Sequence, residues 1–223
     1  HWPTGALART IQPIVPEVTL FGTVVLNYSI GGLNPFAVEV AAKIGCKVLF
    51  PPTWNSAYHV STHSKDPASL TPVGLRGRGG ITILDEGGQL VSEMHEILDI
   101  AKANDMVVAT GHLSPCEHLV LVEEAHRRGI KRIVVSHVRE AIPLEDRKRM
   151  ADQGAVIELV YRPGMDPKAI IAAARGVGVE RCAMTVDGGH AFNPLVAEAF
   201  RAFVGQLLYH GMPPEEVKTM AQR

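Results

Sequence analysis

The chain has 223 residues, 46% of them hydrophobic, and a formal net charge of −1. That length supports one large α/β domain or two small ones with ample core. The balanced charge, without a basic run, excludes nucleic acid and membrane surfaces as expected partners, and no apolar run approaches the roughly 20 residues that span a bilayer. No signal-peptide pattern is present, although the chain begins at His1 rather than Met, so an upstream segment is expected. Cys46, Cys116 and Cys182 are widely spaced, form no C-x-x-C pair, and read as reduced packing residues of a cytoplasmic protein.

A short helix is expected over 5–12, closed by Pro13 and Pro16. Residues 18–26, VTLFGTVVL, read as a buried strand. A loop with Gly31-Gly32 follows, and Asn34-Pro35 opens a helix running to about Gly45. The next strand is 47–50, ended by Pro51-Pro52. Residues 53 to about 80 read as a long irregular segment with His59, His63, Arg76 and Arg78, and 81–91 as a hairpin around Asp85-Glu86-Gly87-Gly88. This insertion spans about 53–91 within an otherwise single domain. Residues 92–104 form a helix whose stripe is Met94, Ile97, Leu98 and Ala101.

From there the alternation is regular. Strands at 106–110, 132–135, 155–160 and 182–186 lead to helices at 115–128, 144–153, 167–175 and 194–210, and a last helix covers 214–222. Outside the insertion, strand starts recur every 25–30 residues or so, as repeated βα units require. Asn34-Pro35, Ser114-Pro115, Asp166-Pro167 and Asn193-Pro194 each place an N-cap residue before a helix-opening proline.

Six parallel strands suit either an open doubly wound sheet or an incomplete barrel. No G-x-G-x-x-G follows the first strand, and His112, His137 and Asp187 all end strands. Successive strand ends of a barrel share one mouth, so the expected fold is α/β, a (β/α)8 TIM-barrel-like domain with about six of eight units. Such a fragment would leave two sheet edges unpaired and need a partner chain, so a homo-oligomer is expected.

His112 in MVVATGHLSP and His137 in RIVVSHV have the same placement, one βα unit apart, and imidazole serves both as metal ligand and as general base. Asp187 in RCAMTVDGG is placed to bind a metal or take a proton from metal-bound water, since Asn193 holds the N-cap role for the next helix. Glu158, in an otherwise apolar strand, is either a surface residue or a polar group near the site. Asn27 is either a substrate contact or a turn residue. Gly31-Gly32 reads first as a tight turn rather than an anion cradle. Arg76 and Arg78 in GLRGRGG suit a carboxylate or phosphate, without the G-K-[ST] ending of a P-loop. His59 and His63 lie in a Ser/Thr/Pro-rich loop, where substrate contact or solvent is expected, and His190 follows Asp187 as a substrate-contact candidate. His118, His126 and His210 fall on helices and read as surface residues.

With these residues placed, the chain resembles the amidohydrolase superfamily of metal-dependent hydrolases, and more closely an uncharacterised amidohydrolase-like branch of it. The resemblance rests on VVLNYSIGGLNPFAVE, FPPTWNSAYH, ILDEGGQLVSEMHEILDIA, VVATGHLSP, RIVVSHV and RCAMTVDGG. It implies His112 as the fifth-strand metal ligand, His137 as the sixth-strand ligand or base, and Asp187 as the eighth-strand acid/base and ligand. The fourth-strand end, VLFPPTW, carries neither the Lys nor the Glu that bridges two metals, so one divalent ion is implied, zinc first, with manganese or iron as alternatives. The superfamily's first-strand H-x-H occurs nowhere in the chain, and the first strand here resembles the family's third, so the first two strands are expected to be missing. His1 then resembles a pocket residue after the second strand. The implied activity is hydrolysis of an amide or ester bond of a small molecule by metal-activated water. A metal-dependent lyase, such as a decarboxylase, and an inactive barrel serving as a binding or assembly module are the alternatives.

Overall fold

The computed structural model describes residues 2–63, 79–137, 142–189 and 193–223. Six strands follow chain order, β1 (Gly22–Val25), β2 (Cys46–Phe50), β3 (Val107–Ala109), β4 (Ile133–Val135), β5 (Val156–Tyr161) and β6 (Cys182–Val186). Strands β1 and β2, β2 and β3, β3 and β4, and β5 and β6 pair in parallel, and helices stand between the strands, which is the expected α/β order. The chain divides into two compact units, 1–134 and 135–223.

The first unit carries α1 (Gly5–Ile11), α2 (Pro35–Lys43), α3 (Ala57–His63), α4 (Ser92–Ala103) and α5 (Pro115–Arg127). Its core joins Val24, Leu49 and Val108 of the strands to Met94, Ile97 and Leu98 of α4, all fully buried. The α4 stripe is therefore as its 3.6-residue period predicts. The first strand is shorter than its apolar run. Gln12 is the reason: its side chain accepts from Leu20 N–H at 2.8 Å and donates to the Val18 carbonyl at 2.6 Å. Those backbone groups are thereby taken from a ladder, and Val18 and Phe21 stay exposed. Nor is β1 wholly bare at its outer side, because Thr4 N–H donates to the Thr23 carbonyl and Thr4 Oγ1 accepts from Thr23 N–H.

Two expectations for the insertion change. Residues 57–63 are helical, so His59 and His63 belong to α3 rather than to a loop. The start of α3 is capped by Ser56 Oγ, which accepts the His59 N–H at 3.0 Å, and that local bond offsets the weak helix propensity of Tyr, Ser, Thr and His. The 81–91 hairpin shrinks to one antiparallel bridge, Leu84 with Leu90, because Asp85 Oδ1 collects Gly87 and Gln89 N–H groups in a tight turn. Gly31 and Gly32 both have positive φ, 91° and 72°, in keeping with a turn.

The second unit carries α6 (Leu144–Asp152), α7 (Pro167–Val177), α8 (Val196–Tyr209) and α9 (Pro214–Ala221). Ile157, Cys182, Met150, Ala174, Phe203 and Leu207 are buried in it. Three of the four Asn/Ser/Asp-Pro signals cap helices, with side-chain bonds from Asn34, Ser114 and Asp166. The fourth does not. Pro194 lies outside α8, Leu195 is its N-cap, and Asn193 Nδ2 donates instead to the Asp187 carbonyl at 2.6 Å.

Cys46 and Cys182 are buried packing residues; burial pushes both thiols up, that of Cys182 to about 11. Cys116 is exposed, against expectation. His118 is buried rather than on the surface, since it shares the inner face of α5 with Leu121, Val122 and Ala125. Among the described residues no helix is long and apolar enough to cross a membrane.

Candidate active site

In the first unit β3 ends at Ala109, and the chain turns at Gly111 to present His112. Gly111 has φ 62°, and a Cβ there would meet the carbonyl oxygens of Pro51 and Pro52 at 3.0 Å. Only glycine lets the loop after β3 lie this close to the loop after β2. His112 N–H donates to the Pro52 carbonyl at 3.2 Å, which completes the register between the two loops.

His112 Nδ1 lies 3.1 Å from Nδ1 of His59, with the rings stacked at 4.9 Å and an interplanar angle of 24°. Two δ-nitrogens at that distance share one hydrogen, so one ring donates and the other accepts there. Ser56, fully buried, ties the pair a second time: Oγ accepts from His59 N–H and donates to the His112 carbonyl at 2.5 Å. Asn27, also buried, stitches the neighbouring loop. Its Oδ1 accepts from Thr53 and Asn55 N–H, and its Nδ2 donates to Thr53 Oγ1 at 2.8 Å. The Asn27 side chain thus serves the loop between β2 and α3.

Below His112, Glu117 closes a capping box with Ser114 and is only 4% exposed. One carboxylate oxygen accepts from Thr82 Oγ1 and Ile83 N–H, the other from Ser114 N–H and Oγ, at 2.7–3.0 Å. Four donors on one buried carboxylate hold the His112 loop to residues 82–83.

The second unit has a different site. His137, just past β4, has φ 48°, a left-handed conformation that costs an L-residue about 1–2 kcal/mol. Glu158 on β5 holds that backbone, its Oε2 accepting the His137 N–H at 2.8 Å, which explains a carboxylate in an apolar strand. Arg162, one residue past β5, places a single Nη2 at 3.1 Å from Asp187 Oδ2 and 3.4 Å from His137 Nδ1. The ion pair is partly exposed, 37% for Arg162 and 30% for Asp187. Beside it opens a cleft with room for about 130 Å³, walled by Arg162, Tyr161, Met165, Pro167, Ile170 and Phe203 among others.

His137 and Asp187 are therefore brought together through Arg162, and His112 is paired with His59. His1, Arg76, Arg78 and His190 lie outside the described residues. Among the described residues no three His, Cys, Asp or Glu side chains are gathered as a metal-holding group, so the donor sets are pairs. The His137–Asp187 pair fits a divalent ion by its chemistry, one imidazole nitrogen and one carboxylate oxygen. Two donors are one short of the three protein ligands of a catalytic zinc site, and Arg162 Nη2 stands at the point they share.

Sequence reading missed Arg162, Glu117 and Ser56. Glu117 was signalled by the S-x-x-E spacing from Ser114, and Ser56 by its place three residues before His59. Arg162 had a weaker signal, a cation between the end of a strand and Pro163.

A family model described as a family of unknown function, DUF6282, matches residues 1–158. No curated protein matches the chain. Among solved structures, an amidohydrolase from Pseudomonas aeruginosa is similar, with a TM-score of 0.60 over 98% of this chain and 80% of that one. At 14% identity the likeness is one of fold alone.

Proposed function

Because the chain belongs to the DUF6282 family, whose function is unknown, we propose from its own geometry that it is a metal-dependent hydrolase cleaving an amide or ester bond of a small molecule. One observation carries the reading: the lone pairs of His137 Nδ1 and Asp187 Oδ2 converge on one cationic nitrogen, that of Arg162. The amidohydrolase-like fold supports it.

His137 and Asp187 would hold the ion, zinc first and manganese or iron otherwise. When bound, such an ion would lower the pKa of a water toward ~7 and polarise a carbonyl. Asp187 is the group that accepts a proton from the attacking water and returns it to the leaving group. Glu158 keeps His137 in its strained orientation. The His59–His112 pair can pass one proton between Nδ1 atoms without either ring moving far.

The test is elemental analysis of the purified chain, followed by zinc titration and assay on a panel of small esters and amides. Stoichiometric metal and metal-restored turnover are expected. Asp187→Ala should weaken zinc binding by more than the 10–100-fold that loss of an outer-shell partner costs. Absence of bound metal together with no metal-restored turnover would sink the reading.

A further inference from the structure

We propose that residues 2–21, outside β1, form the docking face for a second copy of this chain, the two copies joined about a two-fold axis. Trp2, Leu7, Ile14, Val18 and Phe21 all lie in this one segment and are 54–76% exposed. Elsewhere the exposed large apolar side chains stand in smaller groups. Phe36 and Val40 share α2, and those of α8 lie at its two ends, where Val196 and Leu208 are roughly 18 Å apart along the helix. The inference is independent of the hydrolase reading.

The local fold turns these residues outward. Gly5 is the buried side of α1, and a Cβ there would meet the Cys46 nitrogen at 2.6 Å and the Ile44 carbonyl oxygen at 2.7 Å. That side of the helix therefore lies on the start of β2. Leu7 stands two positions on, about 200° round the helix from Gly5. Ile14, in the 3₁₀ turn that continues the helix, follows Leu7 by two turns and shares its face. Both point away from the sheet. Gln12 then ties the returning stretch to the end of the helix through the Val18 carbonyl and the Leu20 N–H. Thr4 already occupies the outer edge of β1 at Thr23, so a partner meets side chains here rather than a strand ladder.

Area and charge select the occupant. At these exposures the five side chains leave roughly 500 Å² of apolar surface open, near the upper end of the largest patch on a typical monomer. With exposed Pro13 and Pro16 and the main chain between them, the segment approaches the ~800 Å² that each partner gives to a standard interface. Its only charges are Arg9 and Glu17, one of each sign. Scarcity of charge is the mark of an interface core. A lipid surface would be met by a face rich in Lys and Arg, which this segment is not. A second copy needs no surface other than this one, because a two-fold contact sets the same patch against itself, with the charges of each copy summing to zero.

Sedimentation velocity of the full 223-residue chain over a concentration series tests the proposal. A species of twice 24.1 kDa should form at micromolar concentration and give way to one of 24.1 kDa on dilution. Leu7→Glu and Ile14→Glu set like charges against each other across the axis, and each should weaken association by about tenfold or more. Tyr209→Glu, at a position 85% exposed in the second unit, should leave it unchanged. Far-ultraviolet circular dichroism confirms that each variant is folded. The natural chain supplies a second measurement, since Trp2 emission should shift to the blue as the dimer forms and the shift should be absent in Trp2→Phe. A 24.1-kDa species at every concentration overturns the proposal, and if that monomer then co-sediments with phosphatidylcholine vesicles, the face belongs to lipid instead. A dimer that survives both glutamates, or that Tyr209→Glu dissociates, overturns it by placing the contact elsewhere.

Discussion

His112 and His137 each follow a parallel strand, yet the two units hold them by opposite means. Around His112 the bonds among the described residues are mostly between neutral groups, and the Glu117 carboxylate is buried and met by four donors. Around His137 the bonds are ionic and partly exposed, and the backbone itself is strained. The first arrangement resists rearrangement, because freeing any buried partner leaves a polar group unsatisfied. The second is held less firmly, because water screens its partly exposed charges.

The sharpest way to break this comparison is Glu117→Ala. It removes four hydrogen bonds from a carboxylate and leaves the Ile83 N–H buried, so a loss of about 3 kcal/mol in urea unfolding is expected. A loss under about 1 kcal/mol would mean that the cage does not hold the His112 loop.

A smaller effect tests the strain at His137. Alanine normally exceeds glycine in stability, but at φ 48° the order should reverse, with His137→Gly more stable than His137→Ala by about 1–2 kcal/mol. Equal stabilities in thermal unfolding would remove strain from the description of the second unit.

The smallest effect concerns ions of the first unit, at the other end of α5 from His112. The hydrogen bond from Arg127, with that from Arg128, holds the Glu124 carboxyl at about 2 against its ordinary 4.5, despite the opposing effect of burial. A depressed folded-state value means stability that is present above about pH 4.5 and is lost as the pH falls toward 2. Because Arg127 is largely exposed, that contribution is about 1 kcal/mol or less. Glu124→Gln should flatten this acid limb, and an unchanged acid limb would refute the assignment.

Much of the fold was legible because the signals were local. Ser114, Asp166 and Asn34 announce their helices through a cap and a proline, and the α4 stripe follows from its period. Asn193-Pro194 looks the same in sequence, but the Asp187 carbonyl outcompetes the helix terminus for the asparagine amide. The helix α3 was illegible for the reverse reason, since a single serine cap outweighs four residue types that disfavour helix. At the candidate site, strand-end position marked His112, His137 and Asp187. Their partners were hidden because each is distant in sequence: His59 meets His112 across 53 positions, and Arg162 meets both His137 and Asp187 across 25.

Ser56 acts as a tether within the first unit. One hydroxyl accepts the His59 amide N–H and donates a hydrogen bond to the His112 carbonyl, so a single side chain ties the start of α3 to the turn after β3. Moving the turn after β3 away therefore leaves a fully buried hydroxyl without its acceptor, which sets a cost on opening that loop.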